Sequence, residues 1–191
     1  MSPRKSIAIK ICGITQISQA HAIAEIGVDA IGIIGVKESP RYINKEQRQR
    51  LFNYLQEFFP TLKRVWVIAN SSDKEIDEAI HADGNPTTIQ LHGFETRERC
   101  LFLKEKYPKI EWWKAFRIRS LLDIEEAMLY EGYIDNFLFD AWDSKELGGT
   151  GIRIPLNLIN RIKINSPWWL AGGISAECIN EILEISTPKG I

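Results

Sequence analysis

The chain has 191 residues, 45% hydrophobic and 26% charged, with 24 basic against 25 acidic side chains and a formal net charge of −1. That size and composition suit one domain, 1–191, with one good core, while the balanced charge excludes a broad basic field for nucleic acid and a polybasic anchor for a membrane. No signal-peptide core opens the sequence and no run approaches the roughly 18 apolar residues of a membrane span, so a cytoplasmic protein without nucleic-acid or membrane partners is expected.

Strand-like runs of β-branched and aromatic residues begin near Ile7, Val28, Arg64, Thr87, Glu111, Tyr133 and Trp168, with a stub at Lys189 to Ile191. Their spacing of roughly 26 residues fits one strand, one helix and two short loops. Between them the apolar spacing turns helical: Ile17, Ala20 and Ala24; Leu51, Leu55 and Phe58; Ile76, Ala79 and Ile80; Cys178, Ile179, Ile182 and Leu183. Asn44 with Gln47, and Ser72 with Glu75, are helix-start signals, because each pair can exchange hydrogen bonds with amides that the first turn leaves unsatisfied. Gly27, Pro60, Gly84, Pro108, Gly132, Pro167 and Pro188 stand where a helix must stop and a strand begin.

The strands are short and continuously apolar, as in Ile31-Gly32-Ile33-Ile34 and Val65-Trp66-Val67-Ile68, which is the pattern of a parallel sheet covered on both faces. The fold class is α/β, and the regular unit favours a barrel over a doubly wound open sheet. Ending at Ile191, the chain is short of an eighth strand and helix, and an open seam between the first and seventh strands is expected.

The ends of the strands carry the chemistry-bearing side chains. The first closes on Lys10-Ile11-Cys12-Gly13-Ile14-Thr15; a thiol beside a lysine and ahead of a helix start can serve as a general base, or can simply fill space. Ser39-Pro40-Arg41-Tyr42 follows the second strand, where Arg41 can pair a carboxylate through two parallel hydrogen bonds or stand solvated. Gln90 and His92 share one face of the fourth strand and can line a pocket or be satisfied by backbone groups. Asp140 ends the apolar run Phe137-Leu138-Phe139, where partial burial would raise its pKa and suit it to donate a proton; helix capping is the alternative.

Two glycine-rich turns, Leu147-Gly148-Gly149-Thr150-Gly151 and Leu170-Ala171-Gly172-Gly173-Ile174, can bring amides close to an anion or act as plain turns. Neither fits a P-loop or dinucleotide pattern. Cys12, Cys100 and Cys178 are far apart without Cys-x-x-Cys spacing, and His21, His81 and His92 are equally scattered, so no disulfide framework or zinc site is signalled.

With Lys-Ile-Cys-Gly-Ile-Thr, Ser-Pro-Arg-Tyr-Ile, Gln-Leu-His-Gly, Leu-Phe-Asp-Ala, Gly-Gly-Thr-Gly and Leu-Ala-Gly-Gly-Ile in this order, the whole chain resembles phosphoribosylanthranilate isomerase. The resemblance implies a (β/α)₈ TIM barrel of the ribulose-phosphate-binding type, here lacking most of the eighth strand-helix unit. It implies an isomerase of tryptophan biosynthesis that acts on a phosphorylated small molecule by an Amadori rearrangement, without cofactor or metal. By the same resemblance Asp140 is the general acid and Cys12 the general base. Arg41 meets the anthranilate end, Gln90 and His92 line the pocket, Gly172 and Gly173 hold phosphate, and Gly149 and Gly151 shape an active-site loop.

The chain departs from the family pattern at Gly35, where a larger residue is common, at Ile152-Arg153-Ile154-Pro155, and at its end, where the family continues into a further phosphate loop and helix. A complete barrel is expected to be a monomer; the short form is open to self-association. Two other readings stand beside the isomerase. A barrel enzyme akin to indole-glycerol-phosphate synthase should show catalytic lysine and glutamate instead, and Cys12 with Asp140 argues against it. An inactive fragment that serves as a binding or assembly module is the other.

Overall fold

The structure, a computed structural model, describes residues 7–141 and 153–191. Seven strands run in sequential order through one sheet, every neighbouring pair parallel: β1 (Lys10–Cys12), β2 (Ala30–Ile34), β3 (Lys63–Ile68), β4 (Thr88–Leu91), β5 (Glu111–Ile118), β6 (Asn136–Ala141) and β7 (Trp168–Leu170). Parallel neighbours need a crossover, and the helices α1 (Ile17–Glu25), α2 (Lys45–Phe58), α3 (Asp73–Ile80), α4 (Arg97–Lys106), α5 (Leu121–Met128), α6 (Leu156–Ile159) and α7 (Ala176–Ile185) supply the connections and the outer cover.

The start signals read from sequence form as capping boxes: Asn44 Oδ1 accepts from Gln47 N at 2.9 Å and Gln47 Oε1 from Asn44 N at 2.9 Å, with Ser72 and Glu75 matched in the same way. At α4 Thr96 Oγ1 accepts from Arg99 N. Among the exits, Gly27, Gly84 and Gly132 occupy the left-handed region, which a side chain would strain.

Period-2 alternation sorts each strand into an outer and an inner row. Outward, Ile31, Ile33, Ile89, Trp112, Phe137 and Phe139 pack against helix residues such as Phe52, Leu55, Ile76 and Leu103. Inward lie two smaller clusters: Ala30, Ile34, Val65 and Val67 against Cys12, and Trp113, Ala115, Leu138 and Trp169 against Ala8 and Ala171. Below them, at the amino ends of the strands, Glu111 is ion-paired to Lys63 and Lys189 and accepts from Asn136 Nδ2 at 2.8 Å. The interior is thus filled from the amino end up, leaving the carboxyl ends of the strands as the open face.

The expected open seam between β1 and β7 is corrected by residues 189–191. Gly190 bridges in parallel to Ala8 on one side and to Trp169 on the other. Ala8 N donates to Lys189 O, Lys10 N to Ile191 O and Ile191 N to Ala8 O; Lys189 N donates to Trp168 O and Leu170 N to Gly190 O. Three residues therefore satisfy both sheet edges, so the unpaired edges expected from sequence are absent there. The glycine is required, because a Cβ at Gly190 would run into the Trp169 ring and the Ala8 carbonyl.

What stays open is the outer face of β1. Ile11 and the preceding Ile9 are 36% and 39% exposed, whereas Ile31, the register partner of Ile11, and Ile33 in the same outward row of β2 are fully buried. Ile17 and Leu183, placed by their spacing on buried helix faces, are also exposed. The departure at Gly35 has a local cause: a Cβ there would collide with the Trp66 indole, over which the Arg48 guanidinium stacks at 4.4 Å. No helix among the described residues is long and apolar enough to cross a membrane.

Candidate active site

Lys10 and Cys12 share the inner face of β1, and Gly32 on β2 makes room for both. A Cβ at Gly32 would come within 2.7 Å of Cys12 Sγ and 3.3 Å of Lys10 Cε. Gly13, at φ +88°, then turns the chain. Arg41 crosses this turn from the loop after β2; Ser39 Oγ accepts from its amide, and its Nη1 donates to the Cys12 carbonyl at 3.2 Å. Gly13 has to lack a side chain for that arginine to lie there, since a Cβ would sit 2.5 Å from Arg41 Nη1.

On β4 the expected pairing of Gln90 and His92 is present: Gln90 Nε2 is 3.3 Å from His92 Nδ1, and His92 Nε2 is 3.7 Å from Asp140 Oδ2. Burial, followed by the positive charges of Arg117, Lys114 and Lys10, pushes the His92 imidazole down to about 3. A neutral ring accepting from Gln90 at Nδ1 carries its proton on Nε2, directed at Asp140. The Asp140 carboxyl is raised by burial, against the charges of Lys10, Arg117 and Arg41 and a hydrogen bond from the Ala141 amide. The result is a buried acid beside an uncharged imidazole, ringed by cations.

Arg117 was not singled out from sequence. It is the strand partner of Asp140 and belongs to the inward row Trp113, Ala115, Arg117 of β5. The signal was the alternation in Trp112-Trp113-Lys114-Ala115-Phe116-Arg117, obscured because Lys114, a charged residue, faces outward into a buried site. Lys114 Nζ meets Glu95 Oε2 at 3.2 Å with side chains 5% and 4% exposed, and donates to Gly93 O at 2.8 Å. Glu95 also accepts from Asn70 N at 2.7 Å and Gly93 N at 3.0 Å, so this pair fixes the loops after β3 and β4 next to His92. A cavity of about 640 Å³ opens there, lined by His92, Gly93, Lys114, Phe116 and Arg117 among others. It touches the site at His92 and Arg117 but does not contain Cys12 or Asp140. A second cavity, of about 380 Å³, lies away from the site against α6 and α7.

The turn after β7 comes up beside Asp140. Gly172 and Gly173 have φ of +83° and +58°, and a Cβ at Gly172 would be 2.9 Å from Asp140 Oδ1. Among the described residues neither glycine amide donates to another backbone group, which leaves both available to an anion. Gly149 and Gly151 lie outside the described residues. Among the described residues no group of three or more His, Cys, Asp or Glu side chains could hold a metal ion.

The sequence model described as N-(5'-phosphoribosyl)anthranilate (PRA) isomerase matches residues 9–191. The chain belongs to the phosphoribosylanthranilate isomerase family. It is 38% identical over 185 residues to the N-(5'-phosphoribosyl)anthranilate isomerase of Synechococcus elongatus, covering 97% of this chain and 84% of the relative. Among solved structures it is similar to phosphoribosyl anthranilate isomerase from Thermotoga maritima, with a TM-score of 0.84 and 27% identity over 97% of this chain and 86% of that one. It is also similar to a phosphoribosyl anthranilate isomerase in complex with reduced 1-(o-carboxyphenylamino)-1-deoxyribulose 5-phosphate, with a TM-score of 0.77 and 27% identity over 97% of this chain and 85% of that one. Phosphoribosylanthranilate isomerases are enzymes, and this member carries on one inner face the cysteine, aspartate, glutamine and histidine that its sequence singled out.

Proposed function

We propose that the chain converts N-(5'-phosphoribosyl)anthranilate to 1-(2-carboxyphenylamino)-1-deoxyribulose 5-phosphate in tryptophan biosynthesis, with Asp140 as general acid and Cys12 as general base. The observation that carries this reading is the arrangement of Asp140, a buried carboxyl kept protonatable, on the same inner face as the Cys12 thiol, with the neutral His92 beside the acid. An Amadori rearrangement needs these two functions. Asp140 gives its proton to the ribose ring oxygen as the C1'–O bond breaks and the anilino nitrogen forms the Schiff base. Cys12, as thiolate, removes the C2' proton, and the resulting enol-amine becomes the ketone.

The remaining residues bind. Arg41 is held at the β1 end with its guanidinium plane able to meet the anthranilate carboxylate. Gln90 and His92 line the pocket, and Gln90 Oε1, buried without a hydrogen-bond partner among the described residues, can accept from a substrate N–H or hydroxyl. Gly172 and Gly173 offer amides to the phosphate. The same reading takes the chain as one domain and its fold as a (β/α)₈ barrel with residues 189–191 standing where the eighth strand would run.

Loss of substrate fluorescence with formation of the ketone product tests the reading. Cys12→Ser and Asp140→Asn should each lower kcat by about 10²–10⁴-fold with little change in KM. A folded chain that does not turn over this substrate, or variants with near-wild-type kcat, would overturn it.

A further inference from the structure

Two cations of the interior have no contact of their own: the side chains of Lys10 and Arg117 make no hydrogen bond and no ion pair within 4 Å among the described residues, yet both act on Asp140 and His92. Lys10 runs beside Cys12 and is shared with the base. Arg117 belongs to the acid, because β5 and β6 are parallel neighbours and Arg117 is the Cα partner of Asp140. Partners in a parallel pair project to the same face, and the pair two residues earlier, Ala115 and Leu138, already lies together in the interior cluster.

We propose that Arg117 is a positioning residue for the acid step, supplying the counter-charge for the Asp140 carboxylate once the proton has passed to the substrate's ring oxygen. This rests on the isomerase reading above. In that step the O–H bond of Asp140 breaks, its proton bonds to the ring oxygen, and the electron pair of the C1'–O bond goes to that oxygen. The aspartate is left negative in a buried place, where an unmatched carboxylate is costly. A guanidinium in contact with Asp140 would hold it ionised from the start and unable to donate. Standing more than 4 Å away, Arg117 leaves the resting acid protonatable and meets the charge when it forms.

Among the described residues, the other cations that act on Asp140 are tied to the base side of the site: Lys10 from β1, whose charge acts on Asp140 more strongly than that of Arg117, lies beside the thiol, and Arg41 from the loop after β2 is hydrogen-bonded to the Cys12 carbonyl. His92 at the end of β4 is neutral, and the turn after β7 brings the backbone of Gly172. Arg117 also lines the cavity over β4 and β5, to which solvent has access.

The test follows the Asp140 carboxyl by ¹³C NMR across pH in the wild-type chain and in Arg117→Met, Arg117→Gln and Arg117→Lys, with kcat and KM measured against pH. Removing the cation should raise the Asp140 midpoint by roughly one pH unit. It should move the alkaline limb of kcat up by the same amount, lower the plateau of kcat about tenfold and leave KM within about twofold; Arg117→Lys should restore most of the loss. Glutamine keeps the length and polarity, so a shift in Arg117→Gln assigns the effect to charge and no shift assigns it to packing, which overturns the proposal. A rise in KM at constant kcat would also overturn it, because Arg117 would then read a substrate anion. A wild-type chain without isomerase turnover would defeat the functional reading instead, and the NMR titration would still decide whether Arg117 and Asp140 are coupled.

Discussion

Arg41 reaches back 29 residues to donate its Nη1 hydrogen to the carbonyl oxygen of Cys12 at 3.2 Å, over a glycine that has no room for a side chain. Positioning of the arginine and the geometry of the β1 turn are thus one structural fact.

It follows that Gly13→Ala should behave as an arginine mutation. The added methyl displaces the guanidinium and strains a residue at φ +88°. Arg41→Lys should not be conservative, since a point charge cannot both bond the Cys12 carbonyl and present a planar fork to a carboxylate. Hydrogen bonds to charged groups are worth about 1.5–3 kcal/mol, so kcat/KM should fall roughly 10- to 150-fold in each variant. A substrate analogue lacking the carboxylate should show a much smaller loss, and equal losses on both substrates would reject the contact.

His92 makes the fold sensitive to acid. Its imidazole titrates at about 3 in the folded chain against about 6.5 unfolded. Between those values the unfolded state binds more protons, so stability is fully present above about 6.5 and is lost as pH falls toward 3, by up to about 5 kcal/mol. Asp140, with its folded carboxyl raised, works with the opposite sign just above the ordinary carboxylate range. The comparison to make is therefore urea unfolding of wild type and His92→Gln from pH 7 to 4: the variant should show the shallower slope, and parallel slopes would contradict the buried neutral histidine.

The Glu95–Lys114 pair should respond asymmetrically to truncation. Glu95→Gln leaves a buried ammonium without its counter-charge and should cost about 3–5 kcal/mol. Lys114→Met leaves the carboxylate with the amides of Asn70 and Gly93 and should cost less. Equal losses in denaturant midpoints would show that those amides do not hold the charge.

Residues 189–191 should matter far more than their number suggests. Gly190→Ala pushes a methyl into the Trp169 ring and the Ala8 carbonyl and should destabilise by about 1–3 kcal/mol or more. By contrast Ile11→Ala, on the uncovered face, should cost under about 1 kcal/mol, whereas Ile33→Ala in the same row of β2 should cost about 2–5 kcal/mol. Thermal unfolding of the three variants ranks them, and a costly Ile11→Ala would mean that the face is covered in solution.

The sheet was legible because its signals are local. Seven apolar runs, two capping boxes and the glycine exits each depend on a few adjacent residues, and the structure begins its strands within three residues of the expected positions. Cys12, Arg41, Gln90, His92 and Asp140 could be nominated because strand ends converge in any parallel α/β fold. Arg117 was missed because its meaning comes from its register partner on another strand, and Lys114 because its burial depends on Glu95 from a distant loop. The stub 189–191 was recognised as strand-like, but nothing local says that three residues can be paired on both sides. Contacts between elements far apart in sequence leave no periodicity to read.

Trp113 on β5 and Trp169 on β7 face each other inside the sheet with ring centroids 4.5 Å apart, a separation that bridges across the intervening β6. Two indoles this close share their electronic transitions, so the near-ultraviolet circular dichroism should contain a paired signal that belongs to neither strand alone. A loosened state that kept its helices and strands would lose that signal first. The chain therefore carries its own optical gauge of whether the inside of the sheet has been assembled.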